Sequence, residues 1–271
     1  MHRFSPLLFV CGVTVAFAED PIPSVGPLAE SDPAPAAMDA PAAVSLFSDE
    51  SSVDEAPVSG EALLADCVAR MPLEKVLLGG FLNMRKRYGV SLKDFRFAVE
   101  ADFSKPEAPC VYRLFDGTNQ VAGVTSTRGP NGSRNFVHES APFSPVDASE
   151  PILGTDVTWL DVGLDFIWWK NPVLVGRTER IKGRVCDLLD VEPPVPLSGC
   201  AKARLWIDRS QKVVLQAAQL SQDGKEVRRV WIRAVQKVDN HWIFKDLEVE
   251  TTGTGHRTRV HFDDVSFPDA E

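Results

Sequence analysis

The architecture of this chain is clearest in residues 201–237, which read AKARLWIDRSQKVVLQAAQLSQDGKEVRRVWIRAVQK. Three runs of alternating apolar and polar residues, each of strand length, are separated by turns at Arg209-Ser210 and Asp223-Gly224. Connections this short join strands that lie next to each other and run in opposite directions. The stretch therefore predicts an antiparallel β-meander.

The same pattern extends from this meander in both directions. Strands are predicted at Lys75–Arg87, Ser91–Phe103, Cys110–Phe115, Val121–Thr127, Arg134–Glu139, Val173–Lys182, Arg184–Val191, Ala201–Asp208, Lys212–Leu220, Glu226–Lys237, Trp242–Glu250 and Arg257–Val265. A helix is predicted over Glu61–Met71, because its apolar residues follow an i, i+3, i+4, i+7 spacing and Pro72 ends it. The chain is thus predicted to be mainly β.

Some of these strands carry large apolar groups on both faces. Leu205 and Ile207 point to one face of their strand, whereas Trp206 lies between charged neighbours on the other. Trp231 and Trp242 hold similar positions. Either a second layer or cavity covers this face, or the tryptophans pack across strands on a solvated face with arginine stems over their rings. We favour the second interpretation.

Residues 158–169, TWLDVGLDFIWW, are unusually apolar. Thr158 and Asp161 form a T-x-x-D capping pattern, which predicts a helix over Leu160–Trp169 that Asn171-Pro172 ends. Its apolar side chains cover more than one helical stripe, so a single sheet cannot bury them all. The helix is predicted either to plug a dry core or to line a ligand cavity. The candidate cavity and lid residues are Leu160, Leu164, Phe166, Ile167, Trp168 and Trp169.

Residues 1–18 have the pattern of a signal peptide. A positively charged start and an apolar run precede Ala16-Phe17-Ala18, an A-x-A cleavage pattern that predicts a cut after Ala18. The apolar run is shorter than the roughly 20 residues of a membrane-spanning helix. A lipoprotein anchor at Cys11 is the alternative, but Val10 is larger than the small residue expected before such a cysteine. We expect export to the periplasm.

Residues 19–59 form an acidic, Pro- and Ala-rich linker that is predicted to be disordered. The linker holds nine acidic residues and no basic one, and no apolar period persists along it. Without the linker and Arg3, the totals of 38 acidic and 29 basic residues fall to 29 and 28 in residues 60–271. This predicted domain is nearly neutral, so it lacks the basic excess typical of nucleic-acid binding.

Four cysteines follow the predicted cleavage site. Counting outward from the Pro193–Gly199 loop places Cys186 opposite Cys200, and this register predicts a disulfide between them. Cys67 and Cys110 would remain. The alternative is that some or all of the four are buried free thiols, which behave as small apolar residues.

Familiar enzyme motifs are absent from the sequence, which has no nucleophile elbow, no H-E-x-x-H, no phosphate loop, no C-x-x-C and no dinucleotide fingerprint. His138 and His241 stand alone. His256 and His261 are close in sequence, but their odd separation on one strand points them to opposite faces. We predict no metal site, no cofactor and no catalytic residue.

Several spaced motifs resemble one family. They are Gly154-Thr155-Asp156-Val157-Thr158-Trp159-Leu160-Asp161, Leu205-Trp206-Ile207-Asp208, Trp242-Ile243-x-Lys245-Asp246-x-Glu248-Val249 and Arg257-Thr258. Together they resemble the outer-membrane lipoprotein-sorting proteins, a bacterial group related to the periplasmic lipoprotein carrier LolA. The resemblance covers roughly residues 60–265. It implies an unclosed antiparallel β-barrel, or half-barrel, with a few covering helices and an apolar cavity for acyl chains.

Two hypotheses on function follow from the resemblance. The first is a non-catalytic periplasmic carrier or chaperone that binds lipoprotein or lipid acyl chains. The second is an envelope-stress sensor or structural interaction protein on the same scaffold, with envelope membrane proteins as partners. A deep continuous apolar cavity favours the first hypothesis, and a cavity filled by side chains such as Trp168 and Trp169 favours the second. An enzyme ranks third.

Overall fold

The computed structural model describes residues 59–268 with the exception of Arg87 and Asn240. The predicted signal peptide, the alternative anchor at Cys11 and nearly all of the predicted acidic linker lie outside the described residues. Among those described, no helix is both long and apolar enough to cross a membrane.

The described residues form one long succession of strands with few helices. Helix α1 covers Gly60–Ala69, and α2 covers Trp159–Gly163 between short 3-10 turns at Ile152–Gly154 and Asp165–Trp168. The strands are β1 (Lys75–Lys86), β2 (Ser91–Asp102), β3 (Cys110–Asp116), β4 (Asn119–Arg128), β5 (Arg134–His138), β6 (Lys170–Ile181), β7 (Arg184–Glu192), β8 (Lys202–Asp208), β9 (Val214–Leu220), β10 (Glu226–Val238), β11 (His241–Thr251) and β12 (His256–Ser266).

All strands belong to one twelve-stranded antiparallel sheet. Its order is β5-β4-β3-β2-β1-β12-β11-β10-β9-β8-β7-β6, so β1 pairs with β2 on one side and with β12 on the other. The sheet has edges at β5 and β6 and is not closed into a barrel. The predicted fold class, mainly β with an unclosed antiparallel half-barrel and a few covering helices, is confirmed.

Helix α1 begins at a side-chain cap and packs on the sheet. The Ser59 hydroxyl accepts a hydrogen bond from the Ala62 backbone N–H at 3.2 Å, which satisfies one of the free donors at the helix start. Leu63, Leu64 and Cys67 are buried in the main core. The helix therefore covers part of the sheet, as its apolar spacing predicts.

The two faces of the sheet differ in the way their sequence alternation predicts. We call the inner face the one that carries Leu205 and Ile207 of β8 and Val230 of β10, all in the main core. The outer face carries mostly charged residues. It also has a second, small apolar cluster of Cys186, Leu188, Trp206, Ala218 and Leu220.

Glycine is required at one point of the sheet. The register between β1 and β12 shifts between Gly79 and Gly80, and the two strands approach closely there. A Cβ atom at Gly80 would collide with the carbonyl oxygen of His261 and lie 2.6 Å from Phe97 Cζ. Gly176 in β6 is different, because the nearest atom to its Cβ position is 3.5 Å away.

The predicted single helix over Leu160–Trp169 is wrong in its continuity. Helix α2 ends at Gly163, and Leu164 takes a left-handed conformation with φ 45° before the 3-10 turn begins. Glycine is a weak helix former, so the helix is weakest there. The break also lets both Asp161 and Asp165 reach arginines in the sheet.

Candidate ligand-binding site on the inner face

The segment from Pro151 to Trp169, which we call the plug segment, lies across the inner face of the sheet. Its apolar side chains join the main core, and its 3-10 turn contacts α1. Phe166 is only 1% exposed. The structure brings the six sequence-predicted candidates together. Five of them are buried: Leu160, Leu164, Phe166, Ile167 and Trp169.

Trp168 has a different environment from the other five candidates. It is half-buried, and the Arg128 guanidinium lies over its ring at 3.7 Å from the centroid. Cationic groups in this position are attracted by the negative face of the indole ring. Trp168 is therefore at the border of the plug segment, next to a charged group, rather than within its apolar centre.

Aromatic rings link the plug segment to the sheet. Trp159 packs edge-on against Tyr112 of β3, with ring centroids 5.8 Å apart, and lies 6.5 Å from Phe136 of β5. Phe166 and Trp169 form a second edge-on pair at 5.3 Å. Trp159 was not among the predicted candidates. Trp159 directly follows the capping residue Thr158, and this position in the first turn of the helix would have placed it among the candidates.

Asp156 fixes the first part of the plug segment. This carboxylate is fully buried, and Oδ2 accepts a hydrogen bond from the Thr258 hydroxyl at 3.0 Å. His256 Nδ1 lies 2.8 Å from the same oxygen, and Oδ1 accepts from the Thr251 backbone N–H at 3.2 Å. Asp156 and Thr258 both belong to the sequence motifs that carry the family resemblance.

Asp161 forms the second anchor. Its Oδ2 accepts hydrogen bonds from the backbone N–H and the hydroxyl of Thr158, each at 2.8 Å, so the predicted capping interaction is present. Arg228 of β10 donates to the same oxygen at 3.0 Å and also to the Asp156 carbonyl. Burial raises the pKa of Asp161, and Arg228 and Thr158 only partly offset this effect.

Asp165 forms the third anchor, at the other end of α2. Arg134 of β5 donates through Nε to Asp165 Oδ1 at 2.9 Å, and Nη1 donates to the Ser126 hydroxyl at 2.9 Å. Burial raises the pKa of Asp165 despite this ion pair. Asp165 Oδ2 has no hydrogen-bond partner among the described residues. An incompletely satisfied buried carboxylate costs free energy, which offsets part of the stabilisation that this ion pair gives.

The space between the plug segment and the sheet is almost filled. An apolar cavity of about 10 Å³ lies beside Trp159, with Leu82, Phe97, Tyr112 and Val260 in its wall. That volume holds about one water molecule. An acyl chain therefore cannot enter this cavity while the plug segment is in place.

The outer face matches our interpretation of its tryptophans. Three arginine guanidinium groups lie within 6 Å of the Trp231 ring, those of Arg233 and Arg257 at 5.0 Å and that of Arg229 at 5.8 Å. Arg229 is also 5.8 Å from the Trp206 ring. Trp231 is half-buried beneath these groups, as the second interpretation predicts. Trp206 differs, because it is 7% exposed and lies within the small apolar cluster of the outer face.

Acid–base pairs cover much of the remaining outer face. Asp190 of β7 accepts from Lys202 at 2.6 Å and from Arg204 at 2.7 Å. Burial alone would raise the pKa of Asp190, but the hydrogen bonds from these two cations outweigh it and lower the pKa. Acidic side chains of this face are thus paired with cationic side chains of the neighbouring strand.

The register behind the predicted disulfide is wrong. Cys186 lies opposite Asp208, not Cys200. Cys200 precedes the start of β8 at Lys202, and in the β7–β8 connection it forms an isolated antiparallel bridge with Leu197. Cys186 belongs to the outer cluster and Cys200 to the inner core, so the sheet separates them. Both are free thiols here, as are the other two described cysteines.

The histidines of β12 point to opposite faces, as predicted. His256 contacts Asp156 of the plug segment, and His261 Nδ1 lies 2.7 Å from Asp246 Oδ1 on the outer face. Within residues 59–268, where described, no group of three or more His, Cys, Asp or Glu side chains could hold a metal ion. Burial raises the pKa of Tyr112 well above its usual value, so its hydroxyl is neutral and unsuited to act as a base.

Comparison with known proteins gives one family match and several structural ones. A family model described as "Uncharacterized protein" matches residues 138–270. No curated protein matches the chain.

The structural matches are much more extensive than the family match. A LolA superfamily protein from Nitrosomonas europaea is 14% identical with a TM-score of 0.65, covering 79% of this chain and 96% of its own. An outer membrane lipoprotein-sorting protein domain from Vibrio parahaemolyticus is 13% identical with a TM-score of 0.64, covering 77% and 92%. A DUF1329 family protein from Desulfovibrio piger is 14% identical with a TM-score of 0.64, covering 77% and 91%.

The TM-scores of 0.64 and 0.65 show a common fold, and identities of 13–14% leave the activity open. The motifs quoted above supply the residues that hold the plug segment against the sheet, Asp156, Asp161 and Thr258. The resemblance is therefore confirmed at the level of the fold: residues 59–268, where described, have the same open-sheet fold as the LolA superfamily protein and the lipoprotein-sorting domain.

Proposed function

We propose that this protein is a non-catalytic periplasmic carrier that binds lipoprotein or lipid acyl chains on the inner face of its sheet, in the place of the plug segment. The observation that carries the proposal is the plug segment itself: a layer of apolar side chains on an apolar sheet face, fixed by a few polar anchors. The names of the similar structures, LolA superfamily and lipoprotein sorting, support the same class of ligand. No covalent bond is made or broken.

The energetics allow an acyl chain to replace the plug segment. Burial of a chain of about 16 carbons stabilises by roughly 12 kcal/mol, at about 0.8 kcal/mol for each CH2 group. The five buried candidates contribute roughly 8–15 kcal/mol together, at about 1.5–3 kcal/mol each. An acyl chain can thus offset the burial of these five side chains, whereas the other buried plug residues, such as Trp159, and the polar anchors add to the cost of displacing the segment.

A second candidate function is an interaction protein that carries no lipid, such as an envelope-stress sensor or a structural envelope component. The filled inner space favours it, because a cavity of about 10 Å³ offers no room for a ligand. In this case the plug segment is a permanent part of the core, and the binding surface for envelope partners lies elsewhere on the domain.

A fluorescent fatty-acid probe separates the two functions. Phe166→Ala removes the most deeply buried ring of the plug segment, which is 1% exposed. If acyl chains compete with the plug segment, this change weakens the competitor, and the variant binds the probe more tightly than the wild type. Phe143→Ala is the matched control, because Phe143 is 71% exposed and lies outside the plug segment. Its affinity for the probe should equal that of the wild type.

Circular dichroism must show that Phe166→Ala remains folded at the temperature of the assay, since unfolded chains also bind apolar dyes. Mass spectrometry of lipids that co-purify from the native envelope should show acyl lipids in the wild type. If neither protein binds the probe and no lipid co-purifies, the carrier function is refuted, and the interaction protein remains.

A further inference from the structure

We propose that the tip of the β1–β2 hairpin, Arg85–Leu92, docks on an anionic lipid membrane surface. This proposal does not depend on the acyl-chain site, which lies on the inner face and involves other residues. Three of the exposed large apolar side chains of the domain fall within this short stretch: Tyr88 is 92% exposed, Val90 59% and Leu92 40%. Exposed apolar residues are ordinary when they occur singly, but a cluster at one tip needs an explanation.

The tip has a defined backbone. The Lys86 N–H donates to the Val90 carbonyl at 2.9 Å, and the Gly89 N–H donates to the Lys86 carbonyl at 2.9 Å. Gly89 has a φ of 89°, a left-handed conformation that glycine adopts without strain. The exposed side chains are therefore presented by a formed turn, so docking requires little ordering of the backbone.

Cations beside the tip are not neutralised. The Arg85 guanidinium donates through Nε to the neutral Asn83 side chain, and Lys86 is exposed. Among the described residues, neither Arg85 nor Lys86 has an acidic partner within ion-pair distance, although such pairs are common elsewhere on this face. The sequence has no acidic residue between Arg85 and Leu92, and the nearest one along the chain, Asp94, accepts hydrogen bonds from the Asn83 and Ser91 side chains. The tip thus has unbalanced positive charge in a domain that is nearly neutral.

A groove of about 400 Å³ continues from the tip along the outer face. It is lined by Arg85, Lys86, Arg257 and Arg259, with Glu248 as its acidic member. Glu248 pairs with Arg257, and Asp246 pairs with Arg259, so Arg85 and Lys86 are the cations left to meet an anion. A lipid phosphate at the mouth of this groove would face these two side chains.

The combination of groups fits a lipid surface better than a protein partner. A stable protein interface needs roughly 1,200–2,000 Å² of complementary surface, whereas this tip is a narrow convex turn. Tyrosine is enriched where the polar headgroups of a membrane meet its apolar interior, and lysine and arginine stems lie along apolar surface while their charges remain in water. The anionic headgroups supply the complementary charge.

Vesicle flotation tests this proposal with the protein purified from its native cell. The wild type should float with vesicles of equal parts phosphatidylcholine and phosphatidylglycerol, and much less with phosphatidylcholine alone. Binding should weaken steeply at about 1 M salt, where the Debye length is about 3 Å. Arg85→Glu with Lys86→Glu should weaken binding to the anionic vesicles by roughly 30-fold or more, at about 1 kcal/mol for each cation lost. Tyr88→Ser should weaken it about tenfold.

Matched controls carry the same changes at other places on the surface. Lys105→Glu with Lys237→Glu reverses two exposed charges at the opposite end of the sheet, and Phe143→Ser removes an exposed ring in another loop. All variants keep the N-terminal segment, so differences among them report on the hairpin. Controls that bind like the wild type support the proposal.

Three results would overturn the proposal. The first is hairpin variants that bind anionic vesicles as well as the wild type while their unfolding midpoints are unchanged. The second is equal binding of the wild type to neutral and anionic vesicles. The third is release from anionic vesicles by inorganic phosphate at the concentration of the lipid phosphate, because the site would then recognise a free anion instead of a membrane.

Discussion

Replacement of Asp161 by alanine tests whether the plug segment is held by its buried ion pair. The carboxylate is 1% exposed and its partner Arg228 is 10% exposed, so neither charge is well hydrated in the folded state. Asp161→Ala removes three hydrogen bonds to Oδ2, two from Thr158 and one from Arg228. It also leaves the Arg228 guanidinium buried without its counter-ion.

The expected loss is about 3–5 kcal/mol of the free energy of unfolding, the usual cost of removing one partner of a buried pair. A domain of this kind is stable by roughly 5–15 kcal/mol, so the variant should still fold but unfold at a much lower urea concentration. Asp161→Ala combined with Arg228→Met removes both charges. This double variant should recover part of the loss, because the uncompensated cation is gone.

Urea unfolding followed by tryptophan fluorescence measures these differences. Asp263→Ala is the matched control, since Asp263 pairs with Arg96 on the surface, where the pair is 34% and 57% exposed. That pair should contribute less than about 1 kcal/mol. A loss of under about 1 kcal/mol for Asp161→Ala would refute the claim that this ion pair anchors the plug segment. So would a double variant that is less stable than Asp161→Ala alone.

Three further predictions concern the core, the outer face and the sheet. Burial raises the pKa of the Cys67 thiol to about 12 and that of the Cys200 thiol to about 11. Both thiols should therefore resist alkylation by iodoacetamide until the protein is unfolded. Rapid labelling of either thiol in the native protein would contradict this packing. The pKa of Asp190 is lowered below its usual 3.8, so its ion pairs contribute stability above that pH and lose it as the pH falls through the lower folded value. The stability difference between the wild type and Asp190→Asn should therefore be full at pH 7 and vanish in strong acid, and a difference that grows on acidification would show the opposite sign. Gly80→Ala should cost roughly 1–3 kcal/mol because its Cβ meets backbone, whereas Gly176→Ala should be within about 1 kcal/mol of the wild type; equal unfolding midpoints for the two would disprove the close approach.

The sequence predicts the sheet well because alternation and turns are local signals. Every predicted strand is present, and their ends differ from the predicted ones by only a few residues. Helix α1 is equally well predicted, since its apolar spacing and the following proline are both visible in the sequence. Local rules also identify the inner face, because Leu205 and Val230 alternate with polar neighbours.

The site is only partly predictable, because it depends on contacts between distant parts of the chain. The apolar surplus of the plug segment is visible in the sequence, but its pairing of Asp161 with Arg228 joins residues 67 positions apart and leaves no spacing pattern. The break at Leu164 is also hidden, since a leucine with positive φ is uncommon and is imposed by its surroundings. The predicted pairing of Cys186 with Cys200 is wrong for a related reason. Counting outward from the loop assumes that both strands begin at equal distances from its centre, and the β7–β8 connection does not meet this condition.

The position of β12 in the sheet has a consequence for how the protein is made. β12 lies between β1 and β11, so it alone joins the strands β1–β5 to the strands β6–β11. Until the ribosome has synthesised β12, the nascent chain can form only two separate half-sheets, each with an exposed edge and an incomplete core. Contacts of such large sequence separation form slowly. The two halves of the sheet can therefore be joined only after nearly all of the described domain has been synthesised.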